Sequence, residues 1–194
     1  MKLDIHHLLR DRVSSRVFDK ERPVPAGYVD LLLEAARWAP SAGNGQPWRY
    51  LVFDERVPDA RETARACLNP DNVVWARLAP VLFLAVAQEI RAGGKANPYA
   101  AHDLGLANQN LLLQAIALGL DCRPMAGFDK GRAAEEFNIP QGYRPMVMIA
   151  VGFAGEMEAV DETVRQKEAQ PRTRKPFEMF AFHGGWESHY AAQD

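Results

Sequence analysis

The fold of this chain is decided by residues 39–48, which read Ala39-Pro40-Ser41-Ala42-Gly43-Asn44-Gly45-Gln46-Pro47-Trp48. They join a segment with helical spacing, which ends near Trp38, to a strand-like segment that ends at Phe53. Two prolines stiffen the ends of the stretch, whereas its small residues leave the middle adaptable. Its polar side chains therefore lie in a loop with little bulk to block a ligand. Taken alone, such a composition is also typical of an ordinary helix-to-strand connection.

A second pattern lies near the N-terminus, where residues 12–18 read Arg12-Val13-Ser14-Ser15-Arg16-Val17-Phe18. If this segment is extended, Arg12, Ser14 and Arg16 project to one side. Two guanidinium groups and a hydroxyl on one face can hold a phosphate dianion. The spacing by itself favours a solvated basic turn. A basic run near the other end of the chain, Arg172-Thr173-Arg174, is likewise typical of a solvated tail.

Composition limits the class of protein. A chain of 194 residues with 47% hydrophobic and 25% charged residues is long enough for one domain with a sizeable core, and we expect a single domain over residues 1–194. A net charge of -2 favours neither nucleic acid nor an anionic membrane as a partner. The apolar run at residues 79–87 is far shorter than the roughly 18 residues of a membrane span. No apolar signal core lies within residues 1–7, and two lone cysteines suit a reducing compartment, so we expect a cytoplasmic protein.

Together these stretches resemble the flavin-dependent nitroreductase family. "AARWAPSAGNGQPWRYLVF" is similar to the signature of the family, and residues 12–18 match its N-terminal Arg-x-Ser-x-Arg/Lys-x-Phe pattern. In the family that pattern holds flavin mononucleotide (FMN), and a basic pair near the C-terminus closes over the phosphate. The resemblance therefore implies that the FMN phosphate is bound by Arg12, Ser14, Arg16, Arg172 and Arg174.

The resemblance also implies which residues contact the flavin ring. In the family, the loop corresponding to Pro40, Ser41 and Asn44 comes from the second subunit. An asparagine near the pyrimidine edge corresponds best to Asn72, although this chain has Val74 where some members carry a basic residue. A short segment passes under the ring with a backbone N–H facing flavin N5, and it corresponds here to Pro124, Met125, Ala126 and Gly127.

The fold implied by the resemblance is α+β, with a mixed, mainly antiparallel central sheet flanked by helices, in an intertwined homodimer. "AHDLGLANQNLLLQAIALGLDCRPMAGFD" resembles the central helix of the family, which packs in the dimer interface. The apolar pattern agrees, because residues 99–118 are apolar nearly all round a predicted helix. We expect the polar residues that interrupt this helix, among them Asn108, to be satisfied core or interface groups.

Other elements follow from local patterns. Asp4 is the expected N-cap of a short helix that buries Ile5, Leu8 and Leu9 and ends near Val13. Residues 68–72 have the composition of a turn. Residues 80–86 form a continuous apolar run, which predicts a strand buried on both faces.

Three further predictions concern residues 120–190. Asp129 is the expected N-cap of a helix that ends at Phe137, and residues 145–152 predict a second buried strand. The C-terminal segment carries four aromatic residues and is too aromatic for a free tail, so we expect it to pack on the body of the chain or on a partner. These residues are Phe180, Phe182, Trp186 and Tyr190.

No side-chain acid, base or nucleophile stands out, and we predict neither a catalytic side chain nor a metal site. His6 and His7 are adjacent, so on a helix they diverge by about 100°. A flavin enzyme needs few such groups, because the cofactor carries the electrons. The leading hypothesis is an oxidoreductase that uses FMN and NADH or NADPH to reduce small-molecule acceptors such as nitroaromatics or quinones by a ping-pong reaction. The alternatives are an oxidase, dehalogenase or flavin-degrading enzyme of the same fold, and a flavin-binding module without turnover.

Overall fold

The computed structural model describes residues 4–190. The chain forms seven α-helices and four strands within that range. The helices are α1 (His7–Asp11), α2 (Ala26–Arg37), α3 (Pro58–Ala66), α4 (Pro70–Ala76), α5 (Ala100–Ala117), α6 (Lys130–Glu136) and α7 (Glu162–Glu168). The strands are β1 (Trp48–Phe53), β2 (Val81–Gln88), β3 (Asp121–Met125) and β4 (Tyr143–Gly152).

The four strands form one sheet in the order β1-β2-β4-β3, and each neighbouring pair is antiparallel. Beyond β3, Ser14 forms a parallel bridge with Cys122, so the extended N-terminal segment lies along this edge of the sheet. The sheet is therefore mixed but mainly antiparallel, and helices cover both of its faces. This confirms the predicted α+β fold.

The core is divided by the sheet into two layers. Because alternate residues of a strand point to opposite faces, Phe83 of β2 packs with Leu32 of α2 and Leu104 of α5, while Leu84 packs on the other face with Trp75 of α4. All of β2 except its last residue is buried, as predicted from its continuous apolar run. Both predicted central strands, β2 and β4, are confirmed.

The long helix α5 confirms the prediction for residues 99–118. It packs against α2 and the sheet, and Asn108 accepts a 2.8 Å hydrogen bond from the Tyr50 hydroxyl, so this polar side chain is satisfied. Asp129 is also confirmed as the N-cap of α6, because its carboxylate accepts a 2.9 Å bond from the Arg132 amide. No helix within residues 4–190 has the length and apolar character that a membrane crossing needs.

Two local predictions are wrong. The N-cap of α1 is His6 rather than Asp4, because the His6 side chain accepts a hydrogen bond from the Leu8 amide. Ile5 and Leu9 are exposed and Leu8 is half-buried, because α1 contacts α5 without burying any of its own residues. Residues 70–76 form α4 instead of continuing the predicted turn. Pro70 occupies the start of that helix, where a proline is favoured because its fixed φ suits the first turn.

The C-terminal segment runs over the surface. Residues 171–180 are all exposed, and the aromatic side chains that follow contact mainly one another, as in the stacked pair Phe182 and Trp186 with ring centroids 4.6 Å apart. The prediction that these aromatic residues pack on the body of the same chain is therefore wrong for Phe180 and Trp186, which are 58% and 81% exposed. The partner alternative for these two side chains stays a prediction.

Gly155 marks a close approach between two segments of backbone. A Cβ atom there would lie 2.5 Å from the carbonyl carbon and oxygen of Phe18, which cannot move away as a side-chain end can. We expect Gly155→Ala to lower the free energy of unfolding by about 1–3 kcal/mol in urea denaturation. Gly27→Ala is the matched control, because no atom lies within 4 Å of its added Cβ. Equal stability of the two variants would contradict the packing described here.

Candidate functional site

A cleft of about 540 Å³ lies beside the edge of the sheet where Ser14 bridges Cys122. Its walls come from the N-terminal extended segment, the segment after β4, the end of α7 and the run that follows α7. We call it the arginine cleft. All five residues predicted to bind the phosphate lie in its wall, namely Arg12, Ser14, Arg16, Arg172 and Arg174. The structure therefore brings together basic residues that are about 160 positions apart in the sequence.

Hydrogen bonds fix the position of most of these side chains. Arg12 Nη1 donates to Ser14 Oγ over 3.1 Å, and the guanidinium of Arg123 donates to the Ser14 carbonyl. Arg172 donates to the carbonyls of Arg10 and Arg12 over 2.8 and 3.2 Å, which joins the C-terminal segment to the N-terminal one. Arg174 donates only to the neighbouring Thr173 carbonyl among the described residues, so no hydrogen bond ties it to another segment.

The cleft has an excess of positive charge. Five basic and two acidic side chains line it, a net charge of +3; the acids are Asp121 and Glu168, and the fifth base is Lys167. Glu168 forms an ion pair with Arg16 at 2.6 Å. Burial raises the pKa of Asp121, with Glu168 adding to the rise. Burial also lowers the pKa of Arg123, beside the cleft, to about 10, and nearby Arg16 adds to the fall. An anion bound here therefore meets a positive, partly desolvated surface.

The four predicted ring-contacting residues, the last two of β3 and the two that follow it, continue along the same edge. Pro124 and Ala126 are exposed and Met125 is buried, as expected for alternation along an edge strand. Ala126 lies four residues beyond Cys122, about 13 Å along the strand from the arginine cleft. This open edge is thus continuous with the cleft.

Asn72 lies against this edge. Its Nδ2 donates a 2.9 Å hydrogen bond to the Gly127 carbonyl, and the Asn69 amide donates to the same oxygen. A Cβ atom on Gly127 would lie 2.8 Å from Asn72 Nδ2. The absence of a side chain at Gly127 therefore allows α4 to pack against the end of β3.

The signature loop, residues 40–47, is a strained turn at the start of β1. Gly43, Asn44 and Gln46 all have positive φ angles of 60°, 53° and 44°, which is uncommon for the two residues other than glycine. Ser41 Oγ accepts a 3.0 Å bond from the Gln46 amide, and the side chains of Asn44 and Gln46 bond to each other. Pro40 and Asn44 are exposed, and Ser41 is half-buried. The strain and exposure are typical of a ligand-binding loop.

The sheet keeps the signature loop away from the arginine cleft. The loop leads into β1 at Trp48. Across the sheet, through β2, Trp48 aligns with Arg144 of β4, whereas Cys122 of the cleft edge aligns with Val151 of β4. The two points are thus separated by three strand spacings, about 14 Å, and by seven residues along β4, about 23 Å. Within one chain, Pro40, Ser41 and Asn44 do not join the other predicted site residues.

Three important residues were not predicted for the site. Asp103 of α5 is 2% exposed, and its Oδ2 accepts a 3.0 Å bond from the Ala42 amide of the signature loop. Arg123 and Glu168 complete the charge cluster of the arginine cleft. Asp103 is the one acidic residue of α5, and this sequence feature could have pointed to it. The pairing of Glu168 with Arg16 joins residues 152 positions apart, so no local sequence pattern predicts it.

Comparison with known proteins agrees with this architecture. The sequence model of the nitroreductase family matches residues 9–73 and 66–153 of this chain. The chain belongs to the nitroreductase family. It is 30% identical to Protein DrgA of Synechocystis sp., an alignment that covers 77% of this chain and 84% of that protein. It is 27% identical to the oxygen-insensitive NAD(P)H nitroreductase of Salmonella typhimurium, over 77% of this chain and 88% of that protein.

A solved structure agrees with the family assignment over nearly the whole chain. The crystal structure of an oxidoreductase containing FMN superposes with a TM-score of 0.89 at 30% identity, covering 97% of this chain and 96% of that chain. The match includes the regions that carry the arginine cleft and the signature loop. The likeness to this FMN-containing oxidoreductase therefore extends beyond the short sequence motifs.

Asp103 provides a test of how the signature loop is held. Asp103→Ala leaves the partly buried Ala42 amide without its acceptor, so we expect a loss of about 1–2 kcal/mol in the free energy of unfolding. Hydrogen exchange of the Ala42 amide should also accelerate. His102→Ala is the control, because His102 is exposed and contacts only the other oxygen of the same carboxylate. Unchanged exchange at Ala42 in Asp103→Ala would show that this bond does not hold the loop.

Proposed function

We propose that this chain is a cytoplasmic FMN-dependent NAD(P)H oxidoreductase, formed by a single domain over residues 1–194, that reduces nitroaromatics, quinones or related acceptors. The observation that carries the proposal is the arginine cleft in a nitroreductase-family chain. Two free, buried cysteines are compatible with a reducing compartment. The relatives named as NAD(P)H nitroreductase and as an oxidoreductase containing FMN support both the cofactor and the reductant.

The residues present fit FMN. The net charge of +3 in the arginine cleft suits a phosphate dianion, and the Ser14 hydroxyl adds a neutral hydrogen-bonding group. The exposed edge at Pro124 and Ala126 leads away from the cleft, as a ligand with a phosphate at one end and a flat ring at the other requires. At the end of this edge lie Gly127, which has no side chain to obstruct a ring, and Asn72, which provides a side-chain amide. Phosphate and ring would thus be held on one edge of the sheet.

The site is shared between two copies of the chain. The signature loop lies too far from the arginine cleft for one flavin to contact both in a single chain, because the ribityl chain is short compared with the sheet. A second copy would supply Pro40, Ser41 and Asn44 to the ring held by the first. Exposed apolar side chains support a homodimer, among them Trp38, which is 75% exposed and lies two residues before the loop.

When bound, FMN would supply the redox chemistry, a hydride transfer from NADH or NADPH to the acceptor by a ping-pong reaction. The residues of this chain would bind and orient the cofactor. Backbone N–H groups near Gly127 and the side-chain amides of Asn72 and Asn44 would donate hydrogen bonds that stabilise negative charge on a reduced ring. No side-chain acid is required, and water can supply protons to the acceptor.

A reduction assay tests the proposed activity. The purified protein should show a flavin absorption spectrum, and NADH or NADPH should bleach it under anaerobic conditions. A nitroaromatic or a quinone should then restore the oxidised spectrum, with product formed in proportion. Bleaching without reoxidation by any acceptor of these classes would favour the flavin-binding module without turnover. Product from another substrate class alone would favour an oxidase, a dehalogenase or a flavin-degrading enzyme.

Arg174 tests the phosphate contact. A charge-assisted hydrogen bond contributes roughly 1.5–3 kcal/mol, so we expect Arg174→Ala to weaken FMN binding by about tenfold to a hundredfold. Riboflavin, which lacks the phosphate, should bind almost as it does to the unmodified protein. The measurement is a fluorescence titration of the full-length protein with each flavin.

Lys175→Ala is the matched control for Arg174→Ala, because Lys175 is the next residue and does not line the arginine cleft. It removes the same charge from the same exposed segment, and FMN affinity should stay within about twofold. Equal losses for FMN and riboflavin in Arg174→Ala would show that Arg174 does not contact the phosphate.

The homodimer has its own test. Analytical ultracentrifugation at low micromolar concentration should show only dimer, because the exposed aromatic and apolar side chains need a partner surface. Trp38→Glu places a charge on this surface and should increase the monomer fraction. A folded monomer of the unmodified protein at that concentration would contradict the shared site.

A further inference from the structure

The arginine cleft contains a carboxylate at the position where an anion is to bind. Glu168 is the last residue of α7, and its Oε1 lies 2.6 Å from Nη1 of Arg16. Both side chains line the cleft and both are largely buried, at 17% and 20% exposure. In every other ion pair of the described residues, at least one side chain is 47% or more exposed.

This burial decides how the ion pair behaves. Exposed ion pairs are screened by water and contribute little, whereas removing charges from water is costly unless each charge keeps a partner. Glu168 therefore neutralises Arg16 in the cleft. It also faces Arg123, whose charged form it favours, and Asp121, whose charged form it disfavours. Glu168 is thus the carboxylate that balances two closely spaced guanidinium groups.

We propose that Glu168 is an internal counter-ion that competes with the flavin phosphate for Arg16 and thereby limits how tightly the cleft holds FMN. This inference rests on the proposed function, since it concerns the same cleft. A phosphate dianion that approaches Arg16 meets a guanidinium whose Nη1 is already bonded and a carboxylate of its own sign a few ångströms away. Glu168 therefore acts on the bound phosphate through Arg16.

The competition has a specific consequence for ligand choice. Riboflavin brings no charge into the cleft and so does not respond to Glu168. FMN brings nearly two negative charges, so its affinity is lowered both by repulsion from Glu168 and by the weakened contact with Arg16. Glu168 thus reduces the preference of the protein for FMN over riboflavin and makes the bound cofactor easier to release.

Glu168→Gln tests the inference, because the amide keeps the shape and one oxygen acceptor for Arg16 but removes the charge. The full-length protein is titrated with FMN and with riboflavin, and flavin fluorescence reports each Kd. We expect the Kd for FMN to fall by about tenfold, while that for riboflavin stays within about twofold. A general structural defect would change both affinities together, so the split between the two flavins identifies the competition.

Glu162→Gln is the matched control. Glu162 begins the same helix, pairs with Arg165 at 3.0 Å and does not line the cleft, so the same charge change there should leave the FMN affinity unaltered. If Glu168→Gln does not fold, Glu168→Asp moves the carboxylate away from Arg16 by one methylene. That variant should lower the Kd for FMN by about twofold to threefold.

The outcomes separate this inference from the function on which it rests. If the unmodified protein binds no FMN, the proposed function itself is wrong. If it binds FMN, and the variant at Glu168 binds FMN with equal or lower affinity, only the competition is wrong, and Glu168 instead holds Arg16 in the orientation that binds phosphate. A gain for FMN alone supports the competition.

Discussion

The width of one four-stranded sheet is the constraint on which the rest of the account depends. Antiparallel pairing places the start of β1, where the signature loop ends, at the opposite corner from the bridge between Ser14 and Cys122. A loop with strained backbone and exposed polar groups therefore lies far from the basic cleft of its own chain. Since the two features complement each other chemically, the geometry favours a site assembled from two copies, in which each copy contributes a different half.

The helix α5 connects the two halves within a chain. Near its start Asp103 holds the Ala42 amide, and further along the Leu112 carbonyl contacts the Cys122 thiol of the cleft edge over 3.8 Å. The helix is apolar nearly all round because it packs on the sheet and α2 and leaves further surface for a partner. In a homodimer the same element would thus support the loop of one site and the phosphate cleft of the other.

Patterns local in sequence predicted most of the fold, because they reflect local backbone geometry. The continuous apolar run of β2 and the all-round apolar α5 follow directly from burial on every side. The turn predicted at residues 68–72 was wrong because proline, asparagine and aspartate are also favoured in the first turn of a helix. The site residues were predicted from the resemblance of short motifs to those of a family. The ion pair between Glu168 and Arg16 depends instead on how α7 packs against the N-terminal segment, and no sequence spacing predicts that packing.

The most direct test of the shared site is a mixed dimer of two defective chains. One chain carries Arg12→Glu and Arg174→Glu, which reverse charge in the arginine cleft, and the other carries Ser41→Trp, which fills the signature loop. Each variant alone should bind no FMN. In a mixed dimer isolated with two different affinity tags, one site combines the intact cleft with the intact loop, so the account predicts about one FMN per dimer. A mixed dimer that binds no FMN would show that cleft and loop act within the same chain, and would contradict the account.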